Sequence, residues 1–141
     1  MRAFLDTNVL LDYLVEGRPS SLSSAIIWDA AKTNRIEVFV TTQSILDMAY
    51  IALKGEKGEI VKDFILWMAN HINIRYIDSF DIINASKSDH SDFEDNAQLS
   101  RADMEGCDVF ITNDRKILNR TDLQPLIVMT PEQFVDKMRI S

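Results

Sequence analysis

Short apolar runs rich in β-branched and aromatic residues alternate along this chain with longer stretches whose apolar positions recur every three or four residues. The short runs predict strands at 2–6, 36–40, 73–77, 108–112 and 126–129. The longer stretches predict helices at 9–16, 22–32, 44–54, 58–71, 80–87 and 92–105, with Ile60, Phe64, Trp67 and Met68 marking the inward stripe of the fourth. Strands separated by helices are the signature of an α/β domain with a mostly parallel sheet.

Two helix starts carry capping signals. Ser91-Asp92-Phe93-Glu94 fits a capping box, in which the serine hydroxyl takes the N3 amide and the glutamate reaches back. Thr130-Pro131-Glu132-Gln133 repeats the device with proline at the first helical position and opens a last helix to about residue 138. A short helix at 115–119 is expected after Asp114, Gly55 and Gly58 bracket a turn containing Glu56 and Lys57, and Gly106 closes the helix that begins near Asp92.

Against this pattern three acids stand where burial is expected. Asp6 ends the run Met1-Arg2-Ala3-Phe4-Leu5, Asp47 interrupts an apolar helix, and Asp95 shares a stripe with Leu99 and Ala102. A buried lone carboxylate is costly, and a shared cation offsets that cost. Asp114 follows the fourth strand. If the first and fourth strands are neighbours, Asp6 and Asp114 share the carboxyl rim of the sheet, where open α/β folds bind ligands. All four acids lie at strand ends or early in helices. Hard cations such as Mg²⁺ or Mn²⁺ prefer carboxylate oxygens, and one or two of them can activate water against a phosphodiester, which is nuclease chemistry. Asp12, Asp103 and Asp108 read as surface or element-end acids.

Composition narrows the picture. A chain of 141 residues, 46% hydrophobic, closes one ordinary core, so a single domain over 1–141 is expected. The opening segment is broken by Asp6 and Asn8, so it does not read as a secretory signal, and no run approaches the roughly 18 apolar residues of a membrane span. A soluble cytoplasmic protein is expected. Cys107 is the lone cysteine and His71 and His90 are scattered, so no thiolate or imidazole metal pattern exists. The net charge of −7 argues against binding nucleic acid through a broadly basic surface. Arg18, Lys32, Arg35, Lys54, Lys57, Arg115, Lys116 and Arg120 remain as local phosphate contacts. Trp28, Phe64 and Trp67 read as core rather than base-stacking groups, with Tyr13 and Tyr50 undecided.

Leu5-Asp6-Thr7-Asn8-Val9-Leu10, Ser91-Asp92-Phe93-Glu94-Asp95-Asn96-Ala97-Gln98 and Val109-Phe110-Ile111-Thr112-Asn113-Asp114 resemble, in order and spacing, the signatures of the PIN-domain ribonucleases, a family that includes the toxins of VapBC toxin–antitoxin pairs. The resemblance implies a three-layer α/β/α sandwich with a parallel five-stranded sheet of order 3-2-1-4-5. It implies a Mg²⁺- or Mn²⁺-dependent endoribonuclease in which Asp6, Asp47, Asp95 and Asp114 hold the metal. Asn8, Asp92, Thr112 and Asn113 take supporting positions. Many members carry glutamate where Asp47 stands, so the shorter side chain is a departure. A homodimer and a small antitoxin protein are implied as partners beside RNA.

Two rivals stay open at this point. One is a catalytically silent PIN module acting in RNA binding or scaffolding. The other is a phosphotransferase or phosphatase with Asp6 as nucleophile, similar to haloacid-dehalogenase-like enzymes. That similarity expects an acid two residues later, where this chain has Asn8.

Overall fold

The apolar runs pair as one parallel sheet. In the computed structural model, which describes residues 1–15, 17–55 and 58–140, the strands are β1 (Arg2–Leu5), β2 (Glu37–Thr41), β3 (Asn73–Arg75), β4 (Val109–Ile111) and β5 (Ile127–Met129), in the spatial order 3-2-1-4-5. Every neighbouring pair is parallel. Each connection therefore crosses over through helix: α1 (Thr7–Leu14), α2 (Ser21–Lys32), α3 (Thr42–Leu53), α4 (Gly58–His71), α5 (Ser79–Lys87), α6 (Phe93–Met104) and α7 (Arg115–Leu118), with α8 (Pro131–Ile140) closing the chain.

Alternating side chains build a core on each face. Ala3, Leu5, Val38, Val40, Val109 and Ile111 meet apolar residues of α1, α2, α3, α4 and α8. The opposite side chains, Phe4, Phe39 and Phe110, meet Leu99 and Ala102 of α6 and Ile117 of α7. These three phenylalanines lie in one row, because Phe4 pairs with Phe39 on one side and Phe110 on the other, and the rings of Phe4 and Phe110 stack at 5.5 Å. The layers are therefore helix, sheet and helix, the expected α/β/α arrangement.

Register brings the acids together. Leu5 pairs with Ile111, so Asp6 and Thr112 emerge side by side at the carboxyl edge, and the Asp6 amide donates to the Ile111 carbonyl at 3.0 Å. The Thr41 hydroxyl caps α3 by accepting from the Ser44 amide at 3.1 Å, while Thr7 Oγ1 reaches Ser44 Oγ at 2.8 Å and ties the start of α1 to the start of α3. Asp47 follows one turn later. Helix α6 is clamped to α5 through the buried Asp81, which accepts from Ser100 Oγ at 2.7 Å and lies 3.1 Å from Arg101 Nε.

Several expectations shift in detail. Strand β3 stops at Arg75 rather than 77, because Asp78 begins a capping box with Asp81 that starts α5. Asp92, not Ser91, caps α6, its carboxylate taking the Asp95 amide at 3.0 Å, so Glu94 is freed from the back-bonding role expected of it. The box at Thr130 and Gln133 forms as expected, through bonds of 2.9 and 3.1 Å. Ile60 is exposed and Val61 takes its place inside. The expected turn at 56–57 and the helix end at 16 lie outside the described residues, as does Lys57. Among the described residues, no helix is long and apolar enough to cross a membrane.

Candidate active site

A cavity of about 480 Å³ opens at the carboxyl edge of β1 and is lined by Asp6, Thr7, Asn8, Leu11, Asp47, Tyr50, Ile51, Asp92, Glu94, Asp95, Gln98 and Asp114. Asp6 is the most buried of these acids, 6% exposed, because it closes β1 and caps α1 at once. Its Oδ1 accepts from the Thr7 amide at 2.7 Å, and its Oδ2 accepts from Thr112 Oγ1 at 2.8 Å and Asn8 Nδ2 at 3.1 Å. Burial raises its pKa, the bonds from Thr112, Thr7 and Asn8 oppose that rise, and the Asp114 charge adds to it.

Asp95 stands in the first turn of α6, half-buried. Burial first, then the charges of Asp6, Asp92 and Asp114, push its carboxyl up to about 7. Asp114 caps α7 by accepting from the Lys116 amide at 2.9 Å, and its own amide donates to Thr112 Oγ1 at 3.0 Å. Asp47 approaches from α3, with Gln43 Nε2 3.3 Å from its Oδ1. Facing it is Glu94, whose carboxyl is raised first by burial, then by a hydrogen bond with Asp47 and by the charges of Asp47, Asp92 and Asp6. Glu94 was not among the expected site residues. Its signal was the one-residue shift of the cap to Asp92, which turns Glu94 toward α3.

The supporting residues divide. Asn8 bridges the site, donating to Asp6 and accepting from the Asn113 amide at 3.1 Å. Thr112 lies buried behind the acids and Asp92 on their outer margin. The Asn113 side chain does not join them: its Nδ2 donates to Asp12 Oδ2 at 2.8 Å, and its Oδ1 accepts from Ser20 at 3.3 Å. Asp12, expected at the surface, is 2% exposed and also binds Arg18 Nε at 2.8 Å, because two partners compensate its charge. Arg18 is thereby engaged, and Arg120 likewise binds Asp122 and Asn96.

A comparable cleft of about 470 Å³ between α1, α2 and α4 holds Tyr13, Trp28, Phe64 and Trp67, and its two acids, Asp29 and Asp63, share the lining with Lys32. Among the described residues, no three carboxylate, imidazole or thiolate groups stand close enough to cage a metal ion as they are. The donors of the Asp6 cavity are nonetheless all oxygens. Gln98 Oε1, in its wall, is buried without a hydrogen-bond partner. Mutually repelling carboxylates beside an orphaned acceptor suit a hard cation.

The family whose profile matches, over residues 2–116, is the PIN domain. The chain belongs to the PIN domain family. Its fold is also that of two solved structures. A chain of VapBC2 from Rickettsia felis, crystallised with a DNA fragment from its promoter, is 15% identical, with 92% of this chain and 98% of that one covered at a TM-score of 0.65. Mycobacterium tuberculosis VapC20, described as a Sarcin-Ricin loop cleaving toxin, is 11% identical, with 87% and 99% covered at a TM-score of 0.63. No curated protein matches the sequence. The PIN match begins within β1 and ends within α7, so it takes in Asp6, Asp47, Asp95 and Asp114 together.

Proposed function

We propose that this PIN domain is a divalent-metal-dependent endoribonuclease that hydrolyses RNA phosphodiester bonds, and that it serves as the toxin of a type II toxin–antitoxin pair. The observation that carries the reading is the gathering of Asp6, Asp47, Asp95 and Asp114 in the lining of one cavity inside a PIN fold. Mg²⁺ or Mn²⁺ suits these donors, and Asp6, Asp47, Asp95 and Asp114 would hold it, with Glu94 joining from α6. A cation bound there would lower the pKa of water and offset the negative charge of a phosphodiester.

The chain's own work is positional. Thr112 and Asn8 fix one Asp6 oxygen and Thr7 the other, so the most buried carboxylate is held in one orientation. Asn113 contributes through its backbone, fixing Asn8, while its side chain anchors the loop to Asp12. Asp95, its carboxyl pushed up to about 7, is only partly ionised at neutral pH and would lose its remaining proton to a bound cation's charge.

The fold shared with a VapBC2 chain supports an antitoxin partner, and we extend the proposal to a homodimer in the cytoplasm, which light scattering of the pure chain tests. The nuclease reading is tested by incubating the protein with labelled total RNA and Mn²⁺. Discrete fragments are expected, with loss of about a hundredfold or more in rate in Asp6→Asn. Intact RNA throughout, from a preparation that binds Mn²⁺, would contradict it.

A further inference from the structure

Part of the cavity lining carries no carboxylate. Leu11, Tyr50 and Ile51 line the same cavity as the acids, and Tyr50 is 68% exposed although that cavity also holds the buried Asp6. On α3, Asp47, Tyr50 and Lys54 follow one another at three- and four-residue spacing, so they form a line along one face. Seven residues of helix carry that line about 10 Å outward from the acids. Lys54 is held on it, its ammonium 4.3 Å from the centre of the Tyr50 ring.

We propose that Tyr50 is the base-stacking platform for the nucleotide next to the scissile phosphate, with Lys54 contacting the backbone phosphate beyond it. The inference rests on the nuclease reading and adds how the substrate is gripped. An acid, an aromatic ring and a cation in sequence match, in order, a cation-bound phosphodiester, its neighbouring base and the following phosphate. A ring accepts a base only if that base is unstacked from its own neighbours, so the grip selects unpaired RNA over duplex. Of the other exposed apolar residues of α3, Leu46 and Leu53 lie outside the cavity lining, while Ile51 shares it with Tyr50.

The test is fluorescence anisotropy of the full chain with a labelled single-stranded oligoribonucleotide of randomised sequence and with its duplex form, in Ca²⁺ to hold the carboxylates without turnover. Tyr50→Ala is expected to weaken single-strand binding on the order of tenfold and Tyr50→Phe by less than about twofold. Lys54→Gln is expected to flatten the salt dependence. Tyr50 is exposed, so melting temperatures should match the wild type and exclude misfolding. Unchanged affinity in Tyr50→Ala, when the wild type binds RNA, overturns the proposal; if the same variant instead dissociates a dimer, the ring belongs to a protein interface. Absence of RNA binding by the wild type overturns the nuclease reading itself, and the platform with it.

Discussion

Thr112 Oγ1 lies 2.8 Å from Asp6 Oδ2, joining two residues 106 positions apart through the pairing of β1 and β4. The same oxygen accepts the Asp114 amide at 3.0 Å, so one hydroxyl orients one acid and the backbone entering another. Both bonds are internal to the site, and Thr112 itself is fully buried.

Thr112→Val keeps the volume and removes both bonds, together with the 3.3 Å bond that Asn8 Nδ2 donates to the same hydroxyl. The loss leaves the part-buried Asp114 amide without its acceptor, a cost of about 1 kcal/mol. It also removes a bond that favours the ionised form of Asp6, so the carboxyl rises further. Denaturant unfolding should show the destabilisation, and calorimetry should show Mn²⁺ affinity falling about tenfold.

Asp95 makes the metal-free protein sensitive to pH. Its pKa is about 7 when folded and near 3.8 otherwise, so between those values the folded state binds more protons than the unfolded state. Stability from this group is therefore complete below about 4 and is lost as pH rises through about 7. Melting temperatures measured in chelator should fall across that window, and Asp95→Asn should flatten the fall and melt higher than the wild type above it.

Glu94 and Asp47 act as a pair. Their carboxyls share a hydrogen bond, so each can supply oxygen to a cation when the other is removed. Glu94 is thus placed to compensate for the short Asp47, where the PIN resemblance leads one to expect glutamate. Asp47→Asn and Glu94→Gln should each weaken Mn²⁺ binding less than about tenfold, while the double variant should lose more than the two effects combined.

Asp12 is predicted to matter for folding rather than for metal. It is buried, and it satisfies both Arg18 and Asn113. Asp12→Ala should cost about 2 kcal/mol in denaturant unfolding, reduced from a fully buried pair because Arg18 is one-third exposed. Mn²⁺ affinity should change little, because Asn113 meets the site only through its amide.

The strands and most helices were legible because each needs only a local pattern: β-branched runs for β2 and β4, apolar spacing for α4. The convergence of Asp6 and Asp114 was legible for a topological reason, since parallel neighbours end at the same edge. Glu94 was hidden because Ser91 and Asp92 are both competent caps, and choosing between them rotates the first turn of α6. Asp12 was hidden because its partners stand 6 and 101 residues away, and no local pattern records such distances. The burial of Val61 in place of Ile60 turned on a rotation of α4 that several neighbouring apolar residues would tolerate.

The central claim, a working carboxylate metal site, is tested most directly by calorimetric titration of Mn²⁺ into metal-stripped wild type and Asp95→Asn. Saturable binding by the wild type, lost or weakened by about tenfold or more in the variant, is the predicted result. Equal binding by the two proteins, or none by either, would contradict the site and leave this chain a silent PIN module.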